Sequence, residues 1–172
     1  RRIRRIFPAL FLVLFATIAV GAVIMLPPDL VRLGSSVTSA ALFVANLHFW
    51  KQRLNYRQDN ADFGEPLLHT WSLAIEEQFY ILWPALLWVV FRLKAKVGRL
   101  LAVLFLTSFA INVVLSMTDI SAAFYLPVSR FWELLAGAGL AWRRQIALSL
   151  NVRSWISFAG LAALLTSVAL FT

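Results

Sequence analysis

The chain has 172 residues, 61% of them hydrophobic and only 14% charged, and it contains no cysteine. A soluble domain is about 25% charged and 45–50% apolar, so this composition excludes an ordinary soluble fold, and the lack of cysteine excludes disulfides, a thiol nucleophile and thiolate metal sites. The formal charge of +8 comes from sixteen Lys and Arg, gathered in short clusters between apolar runs, which is the pattern of membrane topology signals and not of a nucleic-acid surface.

The fold class expected is an all-α, multi-span transmembrane helical bundle, with residues 1–172 as a single membrane domain of a larger protein. Arg1-Arg2-Ile3-Arg4-Arg5 opens the chain without a Met, and the end at Thr172 falls inside an apolar run. Residues 8–26 form an uncharged run of nearly the ~20 residues that a spanning helix needs, with no signal-peptide cleavage site before Pro27-Pro28. Residues 31–50 are weaker, opened by Arg32, Gly34 and a run of Ser and Thr. A polar loop follows over 51–65, then a span over 66–91 and a basic loop from Arg92 to Arg99. Residues 100–117 are a clean span, 118–121 a turn, and 122–142 a span interrupted by Pro127, Arg130 and Glu133. A second basic loop covers 143–153, and a last span runs over 155–172.

The excess of Lys and Arg places residues 1–5, 92–99 and 143–153 in the cytoplasm. The 51–65 loop carries three positive and three negative residues and is expected outside, as is Asp119. The run 8–26 then crosses outward and 66–91 crosses inward, so 31–50 cannot cross between them. It is expected to be a re-entrant or partial helix, buried through its small residues. Tryptophans at 50, 71, 83, 88, 132, 142 and 155 fall near span ends, as an aromatic belt would.

The span over 66–91 contains His69, Glu76 and Glu77. An ionisable residue at mid-bilayer costs about 2.5–3.5 kcal/mol, so three in one span point to a functional site. Positions three, four and seven apart share a helical face, which aligns His69, Ser72, Glu76, Phe79 and Trp83, with Glu77 on the neighbouring stripe. Each glutamate can be a general base, a proton carrier or one half of an ion pair. Ser72 beside His69 suggests a nucleophile and its base, but both with a glutamate on one helix make poor triad geometry. A metal site is not expected, because no second histidine stands at ligand spacing. Arg130 and Glu133 are three apart and can pair locally, or Arg130 can reach across to Glu76 or Glu77. The Arg1–Arg5 cluster suits phosphate binding through its guanidinium forks, or serves only as a topology anchor. Buried Glu and Arg are equally the signature of a transporter with a carboxylate proton relay.

Residues 69–80, His-Thr-Trp-Ser-Leu-Ala-Ile-Glu-Glu-Gln-Phe-Tyr, closely resemble a hallmark of the acyltransferase-3 family of integral membrane O-acyltransferases. Arg-Arg-Ile-Arg-Arg-Ile-Phe-Pro at 1–8, Phe-Val-Ala-Asn-Leu-His-Phe-Trp at 43–50 and Arg-Phe-Trp-Glu-Leu-Leu-Ala-Gly at 130–137 resemble further family segments, in the same order. The resemblance implies transfer of an acyl group, often acetyl, from cytoplasmic acyl-CoA to a hydroxyl of an envelope glycan such as lipopolysaccharide or peptidoglycan, across the inner (plasma) membrane. It implies no permanently bound cofactor, with acyl-CoA as donor substrate. It matches Arg1, Arg2, Arg4 and Arg5 to an R-x-x-R segment handling the CoA phosphates. It assigns Glu76, Glu77, Arg130 and Glu133 to positioning or deprotonating the acceptor, with His69 and Ser72 at its entrance. The family's essential histidine is expected on a span before Arg1.

Cysteines introduced at Asn60 and at Lys96 are expected to react oppositely with a membrane-impermeant thiol reagent, the first from outside and the second only after permeabilisation. Labelling of both from outside would overturn this topology.

Overall fold

The computed structural model of the chain describes residues 3–55, 65–94, 96–142 and 149–171. Among these residues there are eight helices and no strand, which is the all-α bundle. Three helices are long and apolar enough to cross a membrane: α1 (Ile3–Ile24), α4 (Thr70–Arg92) and α5 (Val97–Thr118). Large apolar side chains such as Leu12, Phe15 and Val23 on α1 and Leu106 and Val114 on α5 face outward. Such a surface suits lipid and would be a liability in water, so the chain is a multi-span membrane protein. By contact it divides into two units, Arg1–Gly139 and Leu140–Thr172. The second is built mainly on α8 (Leu150–Phe171), whose described side chains are all exposed.

The segment expected to be re-entrant forms two helices, α2 (Pro27–Ala41) and α3 (Ala45–Asn55). Pro27 suits a first helical position, where the missing N–H costs nothing. At 15 and 11 residues, neither helix has the length of a span. The turn between them is a Schellman closure: Phe43 N donates to Ala40 O (3.1 Å) and Val44 N to Ser39 O (2.9 Å). It requires a left-handed residue, here Phe43 at φ 55°. A side chain in that region costs roughly 1–2 kcal/mol.

The hairpin runs back on itself. Leu33 of α2 lies against Gly21 near the end of α1, while the Phe43 ring meets that of Phe7 near its start, centroids 5.6 Å apart. Along α3 and α4, Gln52 bonds Glu65 and Phe43 O bonds Gln78. The end of α1 and the start of α4 therefore lie on the same side of the hairpin tip.

Two further boundaries differ from the sequence reading. Pro66 to His69 are not a helical turn of α4. They form i→i+3 turns, with Thr70 N on Leu67 O at 2.9 Å, because Leu67 is drawn fully into the core. The run 122–142 is two helices, α6 (Ile120–Tyr125) and α7 (Pro127–Trp142), broken at Leu126. A residue before proline avoids the helical region, and Leu126 is extended at φ −76°, ψ 135°. Hydroxyls satisfy the opened backbone. Ser129 Oγ lies 2.9 Å from Ala123 O and 2.7 Å from Leu126 O, and Ser108 Oγ donates to Val128 O (2.6 Å) while accepting from Trp132 N (2.9 Å). Asp119 caps α6 through Ala122 N.

Two apolar clusters result. One gathers Leu10, Leu14, Leu33, Phe49, Leu67 and Ala74. The other gathers Phe79, Val90, Val97, Leu101 and Leu135. Along α4 the change from one to the other falls between Ala74 and Phe79, where Glu76, Glu77 and Gln78 stand.

A Cβ at Gly21 would come 2.5 Å from Leu33 Cδ2. Gly21→Ile is therefore expected to cost about 1–3 kcal/mol by overpacking, and Leu33→Ala in the same chain should recover part of it. Thermal unfolding in detergent checks this; equal losses with and without Leu33 would exclude the contact as the cause.

Candidate functional site

Helix α4 carries the carboxylates at the seventh and eighth of its 23 residues. Glu76 and Glu77 are half-buried, and Oε1 of Glu77 is shut off from the surface. The helix does not bury the whole predicted stripe. His69 and Ser72 are exposed, and Ser72 Oγ donates to the backbone carbonyl of His69 (3.2 Å). That bond leaves Ser72 on the helix backbone and not on the imidazole. Lower on the stripe, Phe79 is buried and stacks on Trp83 at 5.4 Å, with Phe131 of α7 edge-on.

Arg130 takes the local partner. Its Nη1 binds Glu133 Oε1 at 2.5 Å, and its Nε donates to Phe124 O. The guanidinium also lies over Trp71 and Phe124, 5.3 and 5.0 Å from their ring centres. Trp71 and Phe124 pack on each other at 4.4 Å. Such cation–π contacts contribute about 0.5–2 kcal/mol, and they connect α4 to α6 and α7 at the outer part of the bundle.

Arg4 and Arg5 stand exposed in the first turns of α1; Arg1 and Arg2 lie outside the described residues. Phe7, within one turn of both, contacts Phe43, whose carbonyl accepts from Gln78 (2.8 Å). Gln78 is fourteen residues from Arg92, about 21 Å along α4. The arginine end of α1 is thus linked to the first half of α4, beside Glu76 and Glu77, and not to the end that carries Arg92.

Two polar groups escaped the sequence reading. In the first, Gln78 Nε2 donates to Phe43 O (2.8 Å) and to Asn46 Oδ1 (2.9 Å), and Asn46 Nδ2 donates to Tyr125 O (3.1 Å). In the second, Glu65 accepts from Gln52 Nε2 and from Ser36 Oγ (3.0 Å), with His48 Nε2 3.4 Å from the same Ser36 oxygen. Ser36 gives its proton to the carboxylate, so His48 must carry hydrogen on Nε2 to join it. Burial holds His48 below the ordinary imidazole value, with the Glu65 carboxylate opposing. The available signal was the placing of Asn46 and Gln78 in otherwise apolar runs, since a buried amide needs partners. No group of three metal-ligating side chains occurs among the described residues.

Helix α4 thus carries two half-buried carboxylates in a segment long and apolar enough to cross a membrane. The chain belongs to the acyltransferase-3 family, whose acyltransferase domain matches residues 1–172. It is similar to YrhL of Bacillus subtilis, 35% identical over 147 residues, which cover 82% of this chain and 23% of that protein. It is 33% identical over 150 residues to the peptidoglycan O-acetyltransferase OatA of Listeria monocytogenes, covering 82% and 23%. It is 29% identical over 181 residues to the O-acetyltransferase OatA of Staphylococcus aureus, covering 96% and 29%. The chain thus spans about a quarter of the length of these relatives. No solved structure matches it.

Because the folded state keeps His48 neutral more readily than the ordinary value of 6.5, its contribution to stability is whole above that pH and is lost as pH falls through the lower folded value. Thermal midpoints should therefore drop on acidification, and His48→Gln should flatten the drop. Identical pH profiles for the two proteins would remove His48 as the cause.

Proposed function

We propose that the chain is the core of an enzyme of the inner membrane that moves an acetyl group from acetyl-CoA to a hydroxyl of an envelope glycan, peptidoglycan being the acceptor favoured by the relatives. The observation that carries this reading is the path of contacts from the arginine end of α1 to the turn of α4 that holds the carboxylates, through Phe7, Phe43 and Gln78. The exposed arginines at the start of α1 can hold the CoA phosphates by paired, charge-assisted hydrogen bonds, which brings the thioester toward Glu76 and Glu77. One of these carboxylates accepts the proton of the attacking hydroxyl as a general base. The C–O ester bond then forms as the C–S thioester bond breaks. The proton passes to the departing thiolate, giving free CoA. Arg130 and Glu133, set against Trp71 and Phe124, form the approach for the sugar, with exposed His69 and Ser72 at its edge.

In the complete protein, Glu77→Gln is expected to lower acetyl transfer by at least about tenfold, within the range of lost general-base catalysis. Arg5→Ala should weaken acetyl-CoA binding by about tenfold, and Arg5→Lys should restore it only in part, because lysine lacks the fork. Transfer and donor affinity are measured on membranes with matched amounts of folded protein. Unchanged transfer in Glu76→Gln and Glu77→Gln alike would sink the role of the carboxylates, and unchanged affinity in both Arg5 variants would leave the cluster as an orientation signal.

A further inference from the structure

We infer that Gln78 and Asn46 are positioning residues for acyl transfer, their coupled amides fixing the hairpin tip and the end of α6 against the Glu76–Glu77 turn of α4. The inference rests on the reading above, in which those glutamates act on the acceptor. Both N–H groups of Gln78 are used, one on Phe43 O (2.8 Å) and one on Asn46 Oδ1 (2.9 Å). Asn46, fully buried, passes its own N–H to Tyr125 O at 3.1 Å. Carbonyl oxygens only accept, so each amide has a single workable orientation. The chain of bonds joins the α2–α3 tip, α3, α4 and α6 through two side chains.

Phe43 gives a second argument. A glycine would make the left-handed turn without strain; phenylalanine at φ 55° does so at a cost. Its ring meets Phe7 of α1 and its carbonyl meets Gln78. Strained backbone persists where the surroundings over-determine it, and such positions cluster at functional sites. Gln78 directly follows Glu77, and Tyr125 stands five residues before Arg130, across the break at Leu126. The clamp therefore sets how the α4 carboxylates lie against the Arg130–Glu133 pair. A misplacement of about 1 Å in such geometry can cost about a hundredfold in rate.

Gln78→Glu keeps the shape but sets an oxygen against Phe43 O and Asn46 Oδ1. Asn46→Asp keeps the acceptor for Gln78 but replaces the donor to Tyr125 O with an oxygen. In the complete protein, kcat per folded molecule should fall by about tenfold or more for Gln78→Glu and by about threefold for Asn46→Asp. The KM for acetyl-CoA should stay within about twofold in both, because the donor is held at the arginine end. A scaffold role would instead reduce the yield of folded protein and leave kcat per folded molecule unchanged, and that result overturns the inference. Should Gln78→Glu fail to fold, Asn46→Asp decides by the same comparison, and failure of both to fold also assigns the clamp to the scaffold. Glu76→Gln and Glu77→Gln are measured alongside. If they are inactive while Gln78→Glu is fully active, only the clamp is refuted; if they are active, the underlying reading falls.

Discussion

Inside a bilayer there is no water to satisfy a backbone group released by a broken helix, and each orphan costs several kcal/mol. Among the described residues, two of the helix breaks fall at Phe43 and at Leu126. Both breaks persist because side chains take over the freed groups. Gln78 reaches Phe43 O, Asn46 reaches Tyr125 O, and Ser129 and Ser108 bind the carbonyls around Leu126 and Pro127. Among the buried polar residues of the first unit, Asn46, Ser108 and Ser129 are counterparts of these two breaks.

The breaks in turn create the setting of the site. An uninterrupted helix over 27–55 would have crossed the bundle and carried its polar residues past α4. The turn at Phe43 returns α3 along α4 and leaves the hairpin tip beside the carboxylates. Above this layer lies the apolar cluster around Leu33, Phe49 and Leu67; below it lies the cluster around Phe79, Leu101 and Leu135. The polar layer sits between two apolar masses, where electrostatic interactions are strongest.

The Arg130–Glu133 pair illustrates how such a charge is accommodated. Its geometry is local, three residues apart on α7, yet the guanidinium lies against Trp71 of α4 and Phe124 of α6. The aromatic faces replace part of the hydration that the cation loses. Arginine suits this place because its planar group can stack while still donating hydrogen bonds at its edge.

The composition, the apolar runs and the basic clusters were enough to determine a helical membrane protein, because the energetics of a bilayer act on each span separately. The placing of Glu76 and Glu77 in an apolar span was legible for the same reason. Proline rules made the interruption near Pro127 visible, though not that Leu126 would end a helix there. What the sequence could not give was the partner of each polar group. Gln78 read as one more residue after two glutamates, and His48, Ser36 and Glu65 are separated by up to 29 positions. No glycine marked the left-handed turn at Phe43. His69 and Ser72 shared a stripe with Glu76, but only packing decided that the upper part of the stripe is exposed and the lower part buried. A helix's periodicity defines which residues share a face; the neighbouring helices decide what that face meets.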